Sequence, residues 1–151
     1  MKIYLGADHR GFKLKEQLKK FLVEKGYEVE DVGAFEYEEN DDYPDFAYGA
    51  ALKIAADPSG RGILLCGSGI GMDVVANKVK NIRATVAYSV ESARHARAND
   101  DVNVITLAGD VLDLIPAQKI AEIFLTTPFS GEERHSRRLQ KLAEIENRHL
   151  K

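Results

Sequence analysis

The sequence predicts an α/β protein whose single domain holds a five-stranded parallel sheet with helices on both faces. Short apolar segments of strand length alternate with longer amphipathic segments of helix length, which is the pattern of repeated β–α units. The apolar run from Ile63 to Leu65 is too short for a buried helix and is typical of a parallel strand covered on both sides. The 151 residues contain no internal repeat and no long linker, so one domain covers residues 1–151.

Each predicted element is bounded by a turn or by a residue that starts or ends a helix. Gly26 ends the first helix, Pro44 suits the start of the second, and the residues from Asp57 to Gly60 form a turn before the third strand. The predicted strands are Lys2 to Ala7, Tyr27 to Val32, Ile63 to Cys66, Ile82 to Ala87 and Asn103 to Leu107. The predicted helices carry Phe12 to Leu22, Phe46 to Ile54, Met72 to Val79, Ser89 to Ala98, Val111 to Leu125 and, at the C-terminal end, Leu139 to Ile145.

Two connections in this pattern carry most of the candidate chemistry. We expect the strand order 2-1-3-4-5, in which the first and third strands flank the point where the order reverses and where such sheets bind ligands. The Asp8–His9 turn follows the first of these strands, and the loop from Cys66 to Gly71 follows the other. The sequence therefore predicts a carboxylic acid, an imidazole and a thiol at one crevice.

The composition argues against several classes of function. A net charge of −3 gives no reason to expect nucleic acid or an anionic membrane as a partner, and no apolar run approaches the length of a membrane span. One cysteine cannot form an internal disulfide, and the four scattered histidines have no metal-ligand spacing, so neither a metal nor another cofactor is predicted. The N-terminus begins directly with a strand-like segment, so we expect a cytoplasmic protein with a free thiol.

The glycine loop is the strongest local signal. Gly67, Gly69 and Gly71 alternate directly after the third strand, and a helical pattern follows. This arrangement points several backbone N–H groups and the positive end of a helix dipole at one place, where an anion or a developing oxyanion is stabilised. The loop lacks the lysine of a Walker motif and the spacing of the dinucleotide fingerprint. Cys66 is either a base or nucleophile or a small buried side chain at a strand end, and the loop beside it favours the reactive alternative.

Other polar residues have a functional and a structural interpretation. Asp8 and His9 hold a sugar hydroxyl, a ring oxygen or a phosphate, or Asp8 caps the first helix and His9 lies on the surface. Tyr43 borders the site or only shapes the loop before the second helix. The segment that includes Arg134 and Arg138 binds phosphate through its guanidinium groups, or it is a solvated basic face.

Several short motifs occur in an order that is seen in one known family. They are Gly6-Ala7-Asp8-His9, Asp42-Tyr43-Pro44, Ile63 to Gly71, Ala76-Asn77-Lys78, Ile82-Arg83-Ala84, Asn103-Val104 and Arg134-His135. Over essentially its whole length the chain resembles ribose-5-phosphate isomerase type B, a family that includes the galactose-6-phosphate isomerase subunits. The Cys-Gly-Ser-Gly-x-Gly segment followed by Ala-Asn-Lys is the specific part of this resemblance.

The resemblance implies a metal-free aldose–ketose isomerase of the pentose phosphate pathway with a Rossmann-like three-layer fold. It implies a homodimer or a dimer of dimers, with the segment 131–151 packed on the partner subunit, and a sugar phosphate as substrate. Cys66 would move a proton between C1 and C2 of open-chain ribose 5-phosphate and ribulose 5-phosphate while the loop amides stabilise an enediolate. From the pattern and the resemblance together, the candidate catalytic residues are Cys66, Ser68, His95 and Asn99, and the candidate substrate-binding residues are Asp8, His9, Tyr43, Gly67, Gly69, Ile70, Gly71, Asp100, Arg134 and Arg138.

Two positions depart from the pattern of this family. Asn99, which precedes Asp100, stands where the family has a ring-opening histidine, and an asparagine cannot transfer a proton in the same way. Ring opening would then fall to His95 or His9, or the substrate would enter already open. Asp110 stands where the family has an arginine that helps to bind phosphate, and a carboxylate there repels a phosphate.

These departures leave two alternatives to ribose 5-phosphate isomerisation. One is the isomerisation of a different sugar or sugar phosphate. The other is a non-catalytic subunit that binds a sugar phosphate, although such a subunit has no need of the base that Cys66 offers.

Overall fold

A computed structural model describes residues 1–150 as five strands and six helices. The strands are β1 (Lys2–Ala7), β2 (Glu28–Asp31), β3 (Arg61–Cys66), β4 (Ala84–Val86) and β5 (Val104–Ala108). The helices are α1 (His9–Glu24), α2 (Tyr43–Ala55), α3 (Ile70–Ala76), α4 (Val90–Asp100), α5 (Leu114–Thr126) and α6 (Glu133–His149). Each predicted strand and helix is present, with its ends shifted by a few residues.

The five strands form one parallel sheet, but the predicted order of its last two strands is wrong. The observed order is β2-β1-β3-β5-β4, so β5 pairs with β3 and β4 lies at the edge. The reason is burial: Val104, Ile105 and Leu107 of β5 are fully buried, whereas all three residues of the short β4 are only partly buried. A strand that is buried on both faces belongs between two neighbours, and a short, partly buried strand suits the edge.

Helices cover both faces of the sheet and confirm the three-layer α/β architecture. One face buries Leu14, Leu18 and Leu22 of α1 together with Ile120 and Phe124 of α5. The other face buries small side chains of α2 together with Met72 and Ala76 of α3. Between these two layers of helices, β1 and β3 are neighbours in the sheet, and the glycine loop follows the end of β3.

The last helix, α6, differs from the others because almost none of it is buried. His135 is its one buried residue within the described range 1–150, and its ring nitrogen Nδ1 lies 2.7 Å from Ser130 Oγ. Leu142 and Ile145 are 43% and 54% exposed although they share one face of the helix. No helix among residues 1–150 has the length and the apolar composition that crossing a membrane requires.

Candidate active site

Cys66 lies at the end of β3, where the strand turns into the glycine loop. Its side chain is almost completely buried, with 4% exposure, but it contributes to the wall of a cavity of about 480 Å³. The backbone N–H of Gly69 donates a hydrogen bond to Cys66 Sγ at 3.2 Å. A buried sulfur with a main-chain donor at an open cavity can hold negative charge and still reach a ligand.

The loop after Cys66 keeps its shape through one left-handed backbone position and two hydrogen bonds from the residues that follow β5. Gly69 has a φ of +78°, which favours glycine, and it directly precedes α3. The N–H groups of Gly109 and Asp110 donate to the carbonyls of Cys66 and Gly67 at 2.7 and 3.1 Å. These bonds tie the loop to the segment that follows β5.

Asp8 follows the end of β1 and lines the same cavity as Cys66. Its carboxylate accepts hydrogen bonds from the N–H groups of Arg10 and Gly11 at 3.0 and 3.1 Å and thereby caps α1. Burial raises the pKa of this carboxyl, against the effect of the two backbone donors. Asp8 therefore combines the structural role of a cap with a position in the cavity wall.

His9 is held by Asp41, a residue of the acidic loop before α2. His9 Nδ1 lies 2.7 Å from Asp41 Oδ1, and the backbone N–H of His9 donates to the same oxygen at 2.9 Å. The hydrogen bond with Asp41 raises the pKa of His9. His9 is thus oriented into the cavity wall and does not point freely into solvent.

Tyr43 packs against the glycine loop at the start of α2. A Cβ added to Gly71 would lie 2.7 Å from the Tyr43 ring, so only glycine permits this close approach. Tyr43 is 40% exposed and lines the same cavity as Cys66. The interpretation that Tyr43 borders the site therefore agrees with its position.

Arg10 and Asp110 form an ion pair beside the first glycine of the loop. Arg10 contacts both carboxylate oxygens of Asp110, and both residues line the cavity. A Cβ added to Gly67 would lie 2.7 Å from Arg10 Nε and 2.8 Å from Asp110 Oδ2, so the pair presses directly on the loop. Asp110 is therefore not an isolated negative charge, because a guanidinium neutralises it.

The cavity brings together half of the candidate site. Among residues 1–150, its wall includes the following side chains and glycines: Asp8, His9, Arg10, Asp41, Asp42, Tyr43, Cys66, Gly67, Ser68, Gly71 and Asp110. Gly69 and Ile70 complete the loop behind this wall. Four carboxylates face one guanidinium in this set, so a single chain offers little positive charge for an anion.

The remaining candidates lie elsewhere in the chain. His95 and Asp100 line a separate cavity of about 250 Å³ next to β4, and Asn99 lies on the same helix, α4. The corrected strand order explains this separation, because β5 stands between β4 and the Cys66 strand. Arg134 pairs with Glu132, and Arg138 is exposed on α6.

Two residues of the cavity were not predicted to have a role in the site. Asp41 is one of several acidic residues between Glu36 and Asp42, and no spacing in the sequence distinguishes it from the others. Arg10 directly follows the predicted Asp8–His9 turn, and the sequence pattern assigns it no role. Its pairing with Asp110, 100 positions later, depends on the strand order and leaves no local signal.

Comparison with known proteins decides the family. The family model described as Ribose/Galactose Isomerase matches residues 3–142 of the chain. The chain belongs to the ribose/galactose isomerase family. It is 44% identical over 149 residues to the ribose-5-phosphate isomerase B of Mycolicibacterium paratuberculosis, covering 99% of this chain and 94% of that protein.

Solved structures agree with this assignment. A ribose 5-phosphate isomerase from Thermotoga maritima matches with a TM-score of 0.89 and 42% identity, covering 95% of this chain and 97% of that chain. Ribose-5-phosphate isomerase B from Mycoplasma genitalium, solved with bound ribulose-5-phosphate, matches with a TM-score of 0.93 and 37% identity, covering 97% and 96%. The ribose/galactose isomerase fold therefore extends over nearly all of the chain.

Proposed function

We propose that this member of the family interconverts ribose 5-phosphate and ribulose 5-phosphate, with Cys66 as the base. The observation that carries the proposal is the position of Cys66 Sγ in the cavity wall, 3.2 Å from the Gly69 N–H. Relatives that share 37–44% of their residues with this chain are named ribose-5-phosphate isomerase B, and one was solved with bound ribulose-5-phosphate. These names support the choice of substrate.

The chemistry needs a base and a stabilised oxyanion. A C–H bond next to a carbonyl is a weak acid, and its proton leaves only if the negative charge that develops on oxygen is stabilised. The Cys66 thiolate takes the proton from C2 of the open-chain aldose, and the main-chain donors of Gly67, Ser68 and Gly71 bind the enediolate oxygen. A proton passes from O2 to O1 of the enediolate, and the same sulfur then returns its proton to C1, which gives the ketose with its carbonyl at C2.

A second copy of the chain completes the site in this proposal. The cavity in one chain has one guanidinium, that of Arg10, and Asp110 already binds it. A phosphate dianion needs additional cations, and Arg134 and Arg138 on the exposed α6 are the candidates. We therefore propose a homodimer in which α6 of one copy approaches the cavity of the other.

The decisive test removes the sulfur. Cys66→Ala should lower the turnover of ribose 5-phosphate by about 10²–10⁴-fold, the typical contribution of a general base. A coupled assay measures the turnover, and circular dichroism verifies that the variant is folded. Turnover that equals that of the wild type would contradict the assignment of Cys66, and absence of turnover by the wild type would contradict the substrate.

The Arg10–Asp110 pair favours a second candidate, the isomerisation of a sugar without a phosphate. A neutral hydroxyl can donate to Asp110 and accept from Arg10, whereas a phosphate must displace the carboxylate before it can bind the guanidinium. Asp110→Asn should then lower KM for ribose 5-phosphate about tenfold, since hydrogen bonds to charged groups are typically worth about 1.5–3 kcal/mol. Steady-state kinetics with ribose 5-phosphate and with free ribose would measure the change.

The matched control for this variant is Asp113→Asn, which removes an exposed carboxylate that lies outside the Cys66 cavity. It should leave both KM values unchanged. If Asp110→Asn also leaves KM for ribose 5-phosphate unchanged, the pair does not oppose phosphate and the second candidate loses its support.

A further inference from the structure

Isomerisation of ribose 5-phosphate requires a step that Cys66 cannot perform, namely opening of the furanose ring. In the ring form C1 is a hemiacetal carbon and has no carbonyl, so the C2 proton is not acidic until the ring opens. The anomeric hydroxyl must lose a proton and the ring oxygen must gain one. The group that does this has to lie in the same cavity as Cys66.

Within residues 1–150, the cavity contains one side chain that titrates near neutral pH, His9. His95 lines a different cavity of the same chain, and the amide of Asn99 cannot act as an acid or base near neutral pH. The contact of His9 Nδ1 with Asp41 Oδ1 at 2.7 Å leaves the other ring nitrogen, Nε2, free of this partner. A carboxylate that binds one nitrogen of an imidazole fixes its tautomer and assigns the chemistry to the other nitrogen.

The burial of Asp41 favours a role in orienting His9 and stabilising its positive charge. Its side chain is only 9% exposed, and its second oxygen, Oδ2, is buried without a hydrogen-bond partner among residues 1–150. A buried carboxylate with an unpaired oxygen is costly unless a positive charge lies next to it. The protonated imidazole of His9 is the group in contact with Asp41 that can supply this charge.

Asp8 supplies the second proton-transfer group. One oxygen of Asp8, one ring nitrogen of His9 and one oxygen of Asp41 all lie within 4.8 Å of one another. The Asp8 carboxyl is buried in the cavity wall, where its Oδ1 accepts from the backbone of α1. Asp8 and His9 are therefore close enough to pass a proton between them through the substrate.

On the basis of the function proposed above, we propose that His9 opens the sugar ring, with Asp41 as its positioning residue and Asp8 as the proton acceptor. The anomeric hydroxyl gives its proton to Asp8, its electron pair forms the C1=O1 bond, and the C1–O4 bond breaks. The electron pair of that bond goes to O4, which takes a proton from His9 Nε2. Transfer of the proton from Asp8 back to His9 restores both groups, so that no oxidant or metal is needed.

The test separates ring opening from chemistry at C1 and C2. Ribulose 5-phosphate cannot close a furanose ring because its C5 oxygen carries the phosphate. In D₂O, a C1 proton of ribulose 5-phosphate therefore exchanges for deuterium through Cys66, without a ring-opening step. His9→Gln and Asp41→Asn should lower net conversion of ribose 5-phosphate about 10²-fold, while deuterium exchange into ribulose 5-phosphate stays within a factor of about ten. Proton NMR follows the exchange, and the coupled assay follows the conversion.

The alternatives give different results in the same experiment. If His9 only binds the phosphate, conversion and exchange fall in the same proportion, and the proposal is overturned. If neither rate falls, His9 has no role and the proposal is also overturned. Cys66→Ala should abolish both rates; if the wild type shows neither, the function proposed above fails, which is a separate outcome.

A spectroscopic measurement tests the positioning role of Asp41. The charged groups that act on His9 are Asp41 and Asp8, which raise its pKa, and Arg10, which lowers it, while the Tyr37 ring contacts its edge. Asp41→Asn should therefore lower the pKa of His9 in an NMR titration. The alkaline limb of the pH–rate profile should move in the same direction, because His9 must be protonated to give its proton to O4. Glu39→Gln, an exposed carboxylate of the same loop, is the matched control and should change neither. An unchanged His9 titration in Asp41→Asn would refute the positioning role.

Discussion

The β1–β3 half of the molecule and the β4–α4–α6 half differ in whether their functional side chains have partners within the chain. At the ends of β1 and β3, Asp8, His9 and Cys66 each have a hydrogen-bond partner within the chain, and they share one cavity. In the other half, Arg138 is exposed and the apolar face of α6 is open. In the first half, called the finished half below, these side chains are held in place within one chain. In the second, called the open half, charged and apolar side chains are exposed.

This difference shows which parts of the function one chain can supply. Proton transfer needs groups fixed to within fractions of an ångström, and the chain fixes them by caps, loop contacts and close packing of glycines. Phosphate binding needs positive charge, and the finished half carries little that is not already paired. The predictions below test this contrast, and the largest effects belong to the finished half.

Gly11 sets the approach of α1 to the end of β3. A Cβ added at this position would lie 2.5 Å from the backbone carbonyl of Leu65, the residue before Cys66. Because backbone atoms cannot move aside, Gly11→Ala should lower the free energy of unfolding by about 3 kcal/mol, the upper part of the usual overpacking range. Urea denaturation measures this change.

Gly49 offers a matched control for Gly11. It lies inside α2, and a Cβ added there would meet nothing within 4 Å. Gly49→Ala should raise the free energy of unfolding by about 0.5–1 kcal/mol, because alanine loses less conformational freedom in a helix. Equal effects of the two substitutions would refute the claim that close packing at Gly11 fixes the site.

Lys15 is a fully buried cation that supports the loop carrying Asp41. Its Nζ donates to both oxygens of Asp31 at 2.8 and 2.9 Å and also contacts the Ala34 carbonyl. Lys15→Met should lower the free energy of unfolding by about 3–5 kcal/mol, since it leaves a mostly buried carboxylate with one partner fewer. Lys19→Met, which removes the more exposed second partner of Asp31, should cost about 1 kcal/mol or less.

The pH dependence of stability provides an independent measurement of this pair. Burial favours the neutral form of Asp31, but the hydrogen bonds from Lys15 and Lys19 outweigh burial and lower its pKa. The stability from Asp31 is therefore complete above its unfolded pKa of about 3.9 and is lost as the pH falls through the lower folded pKa. The stability difference between the wild type and Lys15→Met should narrow below about pH 4, and a difference that stays constant with pH would contradict this account.

The sequence predicted the finished half better than the open half, for physical reasons. Periodicity and the alternating glycines identify strand, loop and helix around Cys66, because these signals are local. The position of β5 between β3 and β4 depends on the burial of both faces of β5. The residue types did not indicate it, because β4 and β5 each carry one threonine among apolar residues. The role of Asp41 depends on a loop whose acidic residues look alike in sequence.

The candidates on α4 and α6 could not be located from one chain's sequence for a different reason. The resemblance to the family grouped Asn99, Arg134 and Arg138 with Cys66, whereas the chain by itself keeps them apart. A site made by two copies has no signature in the order of residues along one copy. The dimer therefore stays a proposal, and α6 is the element that tests it.

Substitution of Ile145 tests whether α6 contacts a second copy of the chain or is an ordinary exposed helix. It is the change with the smallest expected effect on the stability of the single chain. Together with Leu142 and Ile82, Ile145 lines a groove of about 600 Å³, and its side chain is 54% exposed. Because so much of it is already in water, Ile145→Ser should change the free energy of unfolding of the single chain by less than about 1 kcal/mol. In the proposed dimer the same substitution leaves a polar group in an apolar contact, so sedimentation should detect a shift toward monomer and turnover should fall with it. Asn147→Ser, on the opposite side of α6, should change neither; an unaltered mass and turnover in Ile145→Ser would mean that this face of α6 does not meet a second copy.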